Sequence, residues 1–277
     1  MLNQMRFQAN DGCIHYRMRR IMRTIISAFL MLFCIDTYGQ TVMSTLEGKK
    51  VLLVYGGWEG HQPKIKSEVI SQWLIKQKAE VIVSNSTEIY ADSDIMDRID
   101  LIIQIITMSD IREKEIKGLL DTIKSGTGFA GCHGGIGDSF RNNTQYQYMV
   151  GGQFVSHPGG QLHYKVHVID GHHPITKDIE DFSVHTEQYY MHVDPNNTVL
   201  ATTVFQSEAH QWIQGAVMPV VWIKHFGKGR VFYSSLGHAP KDMTHPESWT
   251  ILINGIQWAA QSKFVEHHNL LNPIYEY

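Results

Sequence analysis

Hydrophobic and polar residues alternate in two different rhythms along this chain. Residues 49–55 form an apolar run, with Val51-Leu52-Leu53-Val54 at its centre and Gly56-Gly57 after it. Such a run predicts a strand buried on both faces, the habit of parallel sheets. The segments 80–83, 99–106 and 128–131 repeat the signal. Between them the period is helical. Over residues 62–78, Ile65, Val69, Trp73 and Leu74 recur at helical spacing. After Ser109-Asp110, whose side chains suit a helix N-cap, Ile111, Ile116, Leu119, Leu120 and Ile123 form a second apolar set. Strands alternating with helices over about 85 residues predict a parallel sheet with helices on both faces.

Beyond Tyr148 the rhythm changes. Gly151-Gly152 and Gly159-Gly160 punctuate loops, and residues 162–169 alternate as a half-exposed strand does. Residues 199–205 and 220–226 read as strands. The second turns through Gly227-Lys228-Gly229 into 230–234, a β-hairpin. Residues 247–261 predict a closing helix with Trp249, Leu252, Ile253 and Ile256 on one apolar face, and Gly255 weakens it. The whole reads as one α/β domain whose second half lays strands and loops over the sheet.

Composition agrees. A chain of 277 residues, 43% hydrophobic and 18% charged, is long enough for a sizeable core. The net charge is −3, and no cluster of Lys and Arg interleaves with aromatics in the part read as folded, which argues against nucleic acid as a partner. The N-terminal stretch reads as a targeting segment. Arg17, Arg19, Arg20 and Arg23 precede a short apolar run over residues 25–35, then Thr37-Tyr38-Gly39 and Gln40. That is the order of a secretory signal peptide, with cleavage expected after Gly39 and a start at Met22 equally compatible. The apolar run is short for a membrane span, and Phe33 stands before Cys34 where a lipoprotein site calls for a small residue. The expected organisation is an upstream segment over 1–39 and a single exported domain over 40–277, with its core at about 49–261. Processing removes Cys13 and Cys34 and leaves Cys132, so stability must come from packing.

Candidate chemistry gathers at glycine-rich turns. In open α/β sheets, sites form at the carboxyl ends of strands. Gly56-Gly57-Trp58-Glu59-Gly60-His61 and Gly131-Cys132-His133-Gly134-Gly135 both lie there. The pattern Gly-x-nucleophile-x-Gly places His133 at the elbow of the second segment, and one residue earlier it places Cys132 there. A histidine near a helix start is favoured as the neutral imidazole, fit to bind a metal or accept a proton. Amides after Gly134 would hold an anion or oxyanion. A cysteine at the elbow would make a hydrolase, whereas a cysteine closing the strand is inert core. Sixteen histidines are present, many between His133 and His245. His163 and His167 share a strand face but stand about 13 Å apart by strand rise, too far for one ion. His157 and His173 precede prolines and read as structural.

Eight short motifs in order resemble the ThuA-like (trehalose utilisation) family. They are Gly60-His61, Gly131-Cys132-His133, Gly151-Gly152-Gln153-Phe154 with Ser156-His157-Pro158, His172-His173-Pro174-Ile175-Thr176, Thr186-Glu187-Gln188-Tyr189-Tyr190, Met218-Pro219-Val220-Val221-Trp222, residues 227–233, and Leu236-Gly237-His238. Thr186 departs from the family's acid before Glu187. The resemblance runs from about residue 49 to 261. It implies a flavodoxin-like three-layer sandwich similar to class I glutamine amidotransferases, with a mostly parallel sheet and added strands. The elbow histidine replaces the amidotransferase cysteine, so glutamine hydrolysis is not implied.

The resemblance further implies carbohydrate metabolism, with a sugar or keto-sugar as the small-molecule partner. His133, Glu187, Tyr189 and His238 are the expected catalytic residues. Trp58, His61, Gly134 and Tyr190 are expected to contact substrate. His61, His133, Glu187 and His238 are ligand types that suit zinc, although no closely spaced histidine pair anchors the set. Hydrolysis, elimination and isomerisation stay open, as does homo-oligomerisation. Two other readings stand beside this one. In the first, Trp58, Tyr189, Tyr190 and Trp212 stack sugar rings in a non-catalytic binding module. In the second, Cys132 serves a cysteine hydrolase.

Overall fold

The computed structural model describes residues 45–206 and 210–265, so the proposed targeting segment lies outside the described residues. The apolar runs become β1 (Lys50–Gly57), β2 (Glu80–Ser84), β3 (Leu101–Thr107) and β4 (Gly128–Cys132), all parallel, in the order β2-β1-β3-β4. β11 (Gly229–Ser234) joins β4 in parallel and completes a five-stranded half. β3 and β4 are buried along their whole lengths, as continuous apolar runs require.

Two apolar layers cover the parallel half. On one face Val51, Leu53, Leu101, Ile103 and Phe232 pack with Ile70 and Leu74 of α1 (Pro63–Lys76). The last helix, Pro246–Ala260, adds Ile251, Leu252 and Ile256 to that face. On the other face Leu52, Ile102, Phe129 and Val231 pack against Ile116, Leu119 and Ile123 of α2 (Glu113–Lys124). The result is a flavodoxin-like three-layer sandwich.

The second half departs from the expected layout. Its strands extend the sheet instead of lying over it. β10 (Val217–Phe226) pairs antiparallel with β11, followed outward by β9 (Thr198–Val204), β6 (Gln161–Val168) and β7 (Phe182–Glu187), giving nine strands. Edge backbone of the parallel half is thereby paired. The hairpin through Gly227-Lys228-Gly229 forms as its glycines predict. A separate two-stranded ribbon of β5 (Gly152–Ser156) and β8 (Tyr190–Val193) has no counterpart in the sequence reading.

Two of the three predicted helix faces are rotated. In α1 the buried positions are Pro63, Lys66, Ser67, Ile70 and Leu74, while Ile65 is 47% exposed. In the last helix the buried face centres on Leu252, Gly255, Ile256 and Ala259, with Trp249 and Ile253 at its margin. Gly255 is a contact position: a Cβ there would meet the Phe232 ring at 2.4 Å. Ser109-Asp110 do not cap α2. Arg112 precedes its first residue, and the Arg112 amide donates to the Glu115 carboxylate at 3.1 Å. The Ser109 carbonyl instead accepts from the Phe140 amide.

One buried polar residue ties the core to the site. Gln104, in the middle of β3, donates to the Gly135 carbonyl at 3.2 Å and the Tyr146 hydroxyl at 2.7 Å, and accepts from Tyr90 at 3.1 Å. Its buried amide is thus satisfied, and the turn after β4 is fastened to the sheet.

Candidate functional site

Four side chains meet above the carboxyl ends of the central strands. His61 follows β1, His133 follows β4, His238 follows β11, and Glu187 ends β7, which runs in the same direction as β4. Chain order therefore scatters these residues while strand polarity collects them. One ligating atom from each lies within 4.8 Å of every other. The sequence-predicted metal set is thus brought together.

His133 occupies an elbow turn. Its φ of 53° and ψ of −143° are unusual for a residue with a Cβ, a conformation that costs about 1–3 kcal/mol and persists only where the surroundings enforce it. Three contacts do so. The His133 amide donates to the Ser234 carbonyl at 2.7 Å, and ring Nδ1 sits 2.8 Å from the Ser235 carbonyl. The Tyr189 ring covers the imidazole with centroids 4.0 Å apart. Since a carbonyl only accepts, Nδ1 carries the hydrogen. Nε2 then points at Glu187 Oε2, 3.1 Å away.

The other imidazoles close around the same oxygen. His238 Nδ1 lies 3.2 Å from Glu187 Oε2 without making an aligned hydrogen bond. His61 Nε2 lies 4.0 Å away, its ring held by Nδ1 against Thr107 Oγ1 at 3.1 Å. Thr107 and the Ser235 carbonyl orient two rings and were missed in the sequence. Their signal was only that both close strands or follow them at the site edge.

Electrostatics sharpen the arrangement. Burial pushes His133 down to about 4, outweighing the adjacent Glu187 carboxylate. Burial, with His133 and Lys66 nearby, pushes His61 down to about 2. Burial pushes the Glu187 carboxyl upward, but the His133 and His238 imidazoles beside it prevail and hold it well below the usual carboxylate range. At neutral pH His61 and His133 are therefore neutral imidazoles beside an ionised carboxylate. The lone pair of His133 Nε2 then faces the lone pairs of Glu187 Oε2, an arrangement that asks for a cation between them.

The set passes a test of fit for a divalent metal. A tetrahedral zinc with ligand bonds near 2.0–2.1 Å places ligands about 3.3 Å apart. The His133–Glu187 and His238–Glu187 separations of 3.1 and 3.2 Å already have that length, and His61 stands further off. Each of His61 and His133 uses its far nitrogen on an oxygen, the second-shell support that metal-binding histidines have.

The remaining predicted residues divide. Trp58 is half exposed and stands edge-on to His61 with centroids 4.8 Å apart. Gly134 lies directly under the His61 ring, where a Cβ would come within 2.7 Å. Tyr189 is buried between His133 and Phe154, and burial keeps its phenol protonated. Tyr190 turns to Phe205 and Trp212 sits beside His210; neither contacts the four convergent side chains by ring stacking. His157, read as structural, lies 3.6 Å from Glu187 Oε1 with its ring over Phe154, so it borders the site. Of the amides after Gly134, those of Ile136 and Gly137 donate back to the His133 carbonyl in a single helical turn over Gly134–Gly137. Cys132 is fully buried inside the strand end, and burial raises its thiol pKa, the reverse of what a nucleophile needs.

Comparison with known proteins places these motifs. The family model described as ThuA, trehalose utilisation, matches residues 50–259. A ThuA-like protein from Parabacteroides merdae superposes with a TM-score of 0.65 at 18% identity, covering 80% of this chain and 93% of its own. One from Bacteroides uniformis gives 0.63 at 18% identity, covering 81% and 94%. A cytoplasmic protein from Salmonella typhimurium gives 0.52 at 13% identity, covering 76% and 99%. No curated protein matches the sequence.

Proposed function

The chain belongs to the ThuA (trehalose utilisation) family, and from that membership we propose that it is a metal-assisted enzyme acting on a sugar or keto-sugar. The observation that carries this reading is the convergence of His61, His133, His238 and Glu187, with two acceptor atoms facing each other at 3.1 Å. A binding module has no need of a buried carboxylate ringed by imidazoles, whereas a Lewis-acid site does. Zinc is the metal whose ligand preferences match. When bound, it supplies polarisation of a carbonyl or hydroxyl oxygen.

The chain's own residues supply the rest. Trp58, half exposed beside His61, offers a face for a sugar ring. Tyr189 and Phe154 wall the centre and exclude water from the inner side of His133. Glu187 Oε2 belongs to the centre, while Oε1 faces His157 at the exposed rim. His157 is therefore placed to exchange a proton between substrate and solvent. Export through the N-terminal segment is part of the same proposal and fits glycan processing outside the cytoplasm.

The test is elemental analysis of purified protein beside His133→Ala, followed by turnover assays on glycosides and keto-sugars. Near-stoichiometric zinc that disappears in the variant, together with metal-dependent turnover, is the expected result. Protein that takes up no divalent metal under any loading condition would overturn the metal-assisted reading.

A further inference from the structure

Lys66 is the most deeply buried cation among the described residues, at 0% exposure on α1. Full burial of a lysine is rare and needs matched acceptors. Its ammonium donates to the Gly237 carbonyl at 3.1 Å and the His238 carbonyl at 3.3 Å. These are consecutive residues of the loop after β11, and the second presents its ring to Glu187 at 3.2 Å.

The loop needs such a donor. Gly237 has a φ of +100°, and a Cβ there would crowd Cys132 Sγ at 3.4 Å and Met243 Cβ at 3.3 Å. That turn directs two successive carbonyls inward. Buried carbonyls left unpaired are costly, and one ammonium serves both. On the far side of His238, the Ala239 amide donates to Asp242 at 3.0 Å. The loop is thus held before and after His238 by two side chains of opposite charge.

We infer that Lys66 is a positioning residue of the site: by clasping the carbonyls of Gly237 and His238, it fixes the loop so that the His238 ring faces Glu187. It touches neither substrate nor metal; its hydrogen bonds reach the site through the His238 loop, while its charge also bears on His61 and His133. The inference deepens the proposed metal site, and only the metal-binding half of its test depends on that reading.

The test uses full-length protein with 15N-labelled histidine, where His238 ring signals are assigned by their loss in His238→Gln. In metal-free protein, Lys66→Met is expected to move the His238 signals and leave those of His163 in place. In cobalt titrations it is expected to weaken binding by roughly 10–100-fold, the usual effect of losing a supporting partner. Its visible spectrum should shift toward that of His238→Gln. Lys66→Arg, which keeps the charge and the donors, should restore both readouts in part. If Lys66→Met fails to fold, Lys66→Gln takes its place, with the same direction expected. Unmoved His238 signals in either folded variant overturn the inference. Wild-type protein that binds no cobalt overturns the metal reading instead, and the His238 signals then decide the role of Lys66 alone.

Discussion

His61, His133 and His238 sit at strand ends, sunk around one carboxylate, whereas His163, His167 and His185 line the outer face of the β6–β7 pair. The outer set has closeness too. His163 and His185 are opposite each other in register with ring centroids 4.4 Å apart. His167 Nδ1 is 2.9 Å from Asp181, which also pairs with Lys165 at 3.2 Å. The hydrogen bond from His167 holds Asp181 down to about 2, yet all of this happens in water. What the inner set has in addition is dehydration and a fixed partner behind His61 and His133: Thr107 and the Ser235 carbonyl. Proximity makes a histidine pair; burial and a satisfied far nitrogen make a ligand.

Four experiments break or sharpen that contrast. Removing the common carboxylate with Glu187→Gln should have the largest effect, lowering metal affinity beyond the roughly 100-fold that loss of a supporting partner reaches. Equilibrium dialysis against zinc reads this directly, and retained affinity would mean that the imidazoles suffice. Next comes Gly134→Ala, which forces a Cβ to within 2.7 Å of the His61 ring. A cost of about 1–3 kcal/mol in unfolding free energy is expected, with metal content reduced in parallel.

Acidification is the third. His133 has a folded pKa of about 4, below its unfolded value, so between pH 6.5 and 4 the unfolded chain binds more protons. Stability of the metal-free protein should then fall as pH falls, by about 2 kcal/mol between pH 6.5 and 5 from this group. Denaturant titrations should show this slope flattened in His133→Ala and unchanged in His163→Ala. The smallest effect is expected from His163→Ala and His185→Ala themselves, within about 0.5 kcal/mol. Metal content should be unaltered in both.

Much of this was legible along the chain. The apolar runs of β1, β3 and β4 and the glycine-flanked turn between β10 and β11 announced themselves because burial on both faces and a tight turn leave few residue choices. The three site histidines were legible because each follows an apolar run at a small-residue turn. Other features were hidden for physical reasons. Lys66 looks solvent-facing in any amphipathic reading, and only the inward carbonyls of a loop far along the chain explain its burial. Gly255 looked like a flaw in a helix and is the place where Phe232 packs. His157 owes its place to the β5–β8 ribbon, whose pairing is set by tertiary contacts that no local pattern records.

The provenance of Glu187 has a consequence for folding. The three histidines belong to the parallel half, but the carboxylate arrives on β7, the outermost strand of the antiparallel extension. An ion that needs all four groups has no partner until the last strand has docked. Such an ion would bind the finished chain and no intermediate, and by mass action would stabilise that state alone. Metal uptake during refolding would accordingly lag behind the formation of secondary structure. Its amplitude would count the molecules that have closed the sheet at its far edge.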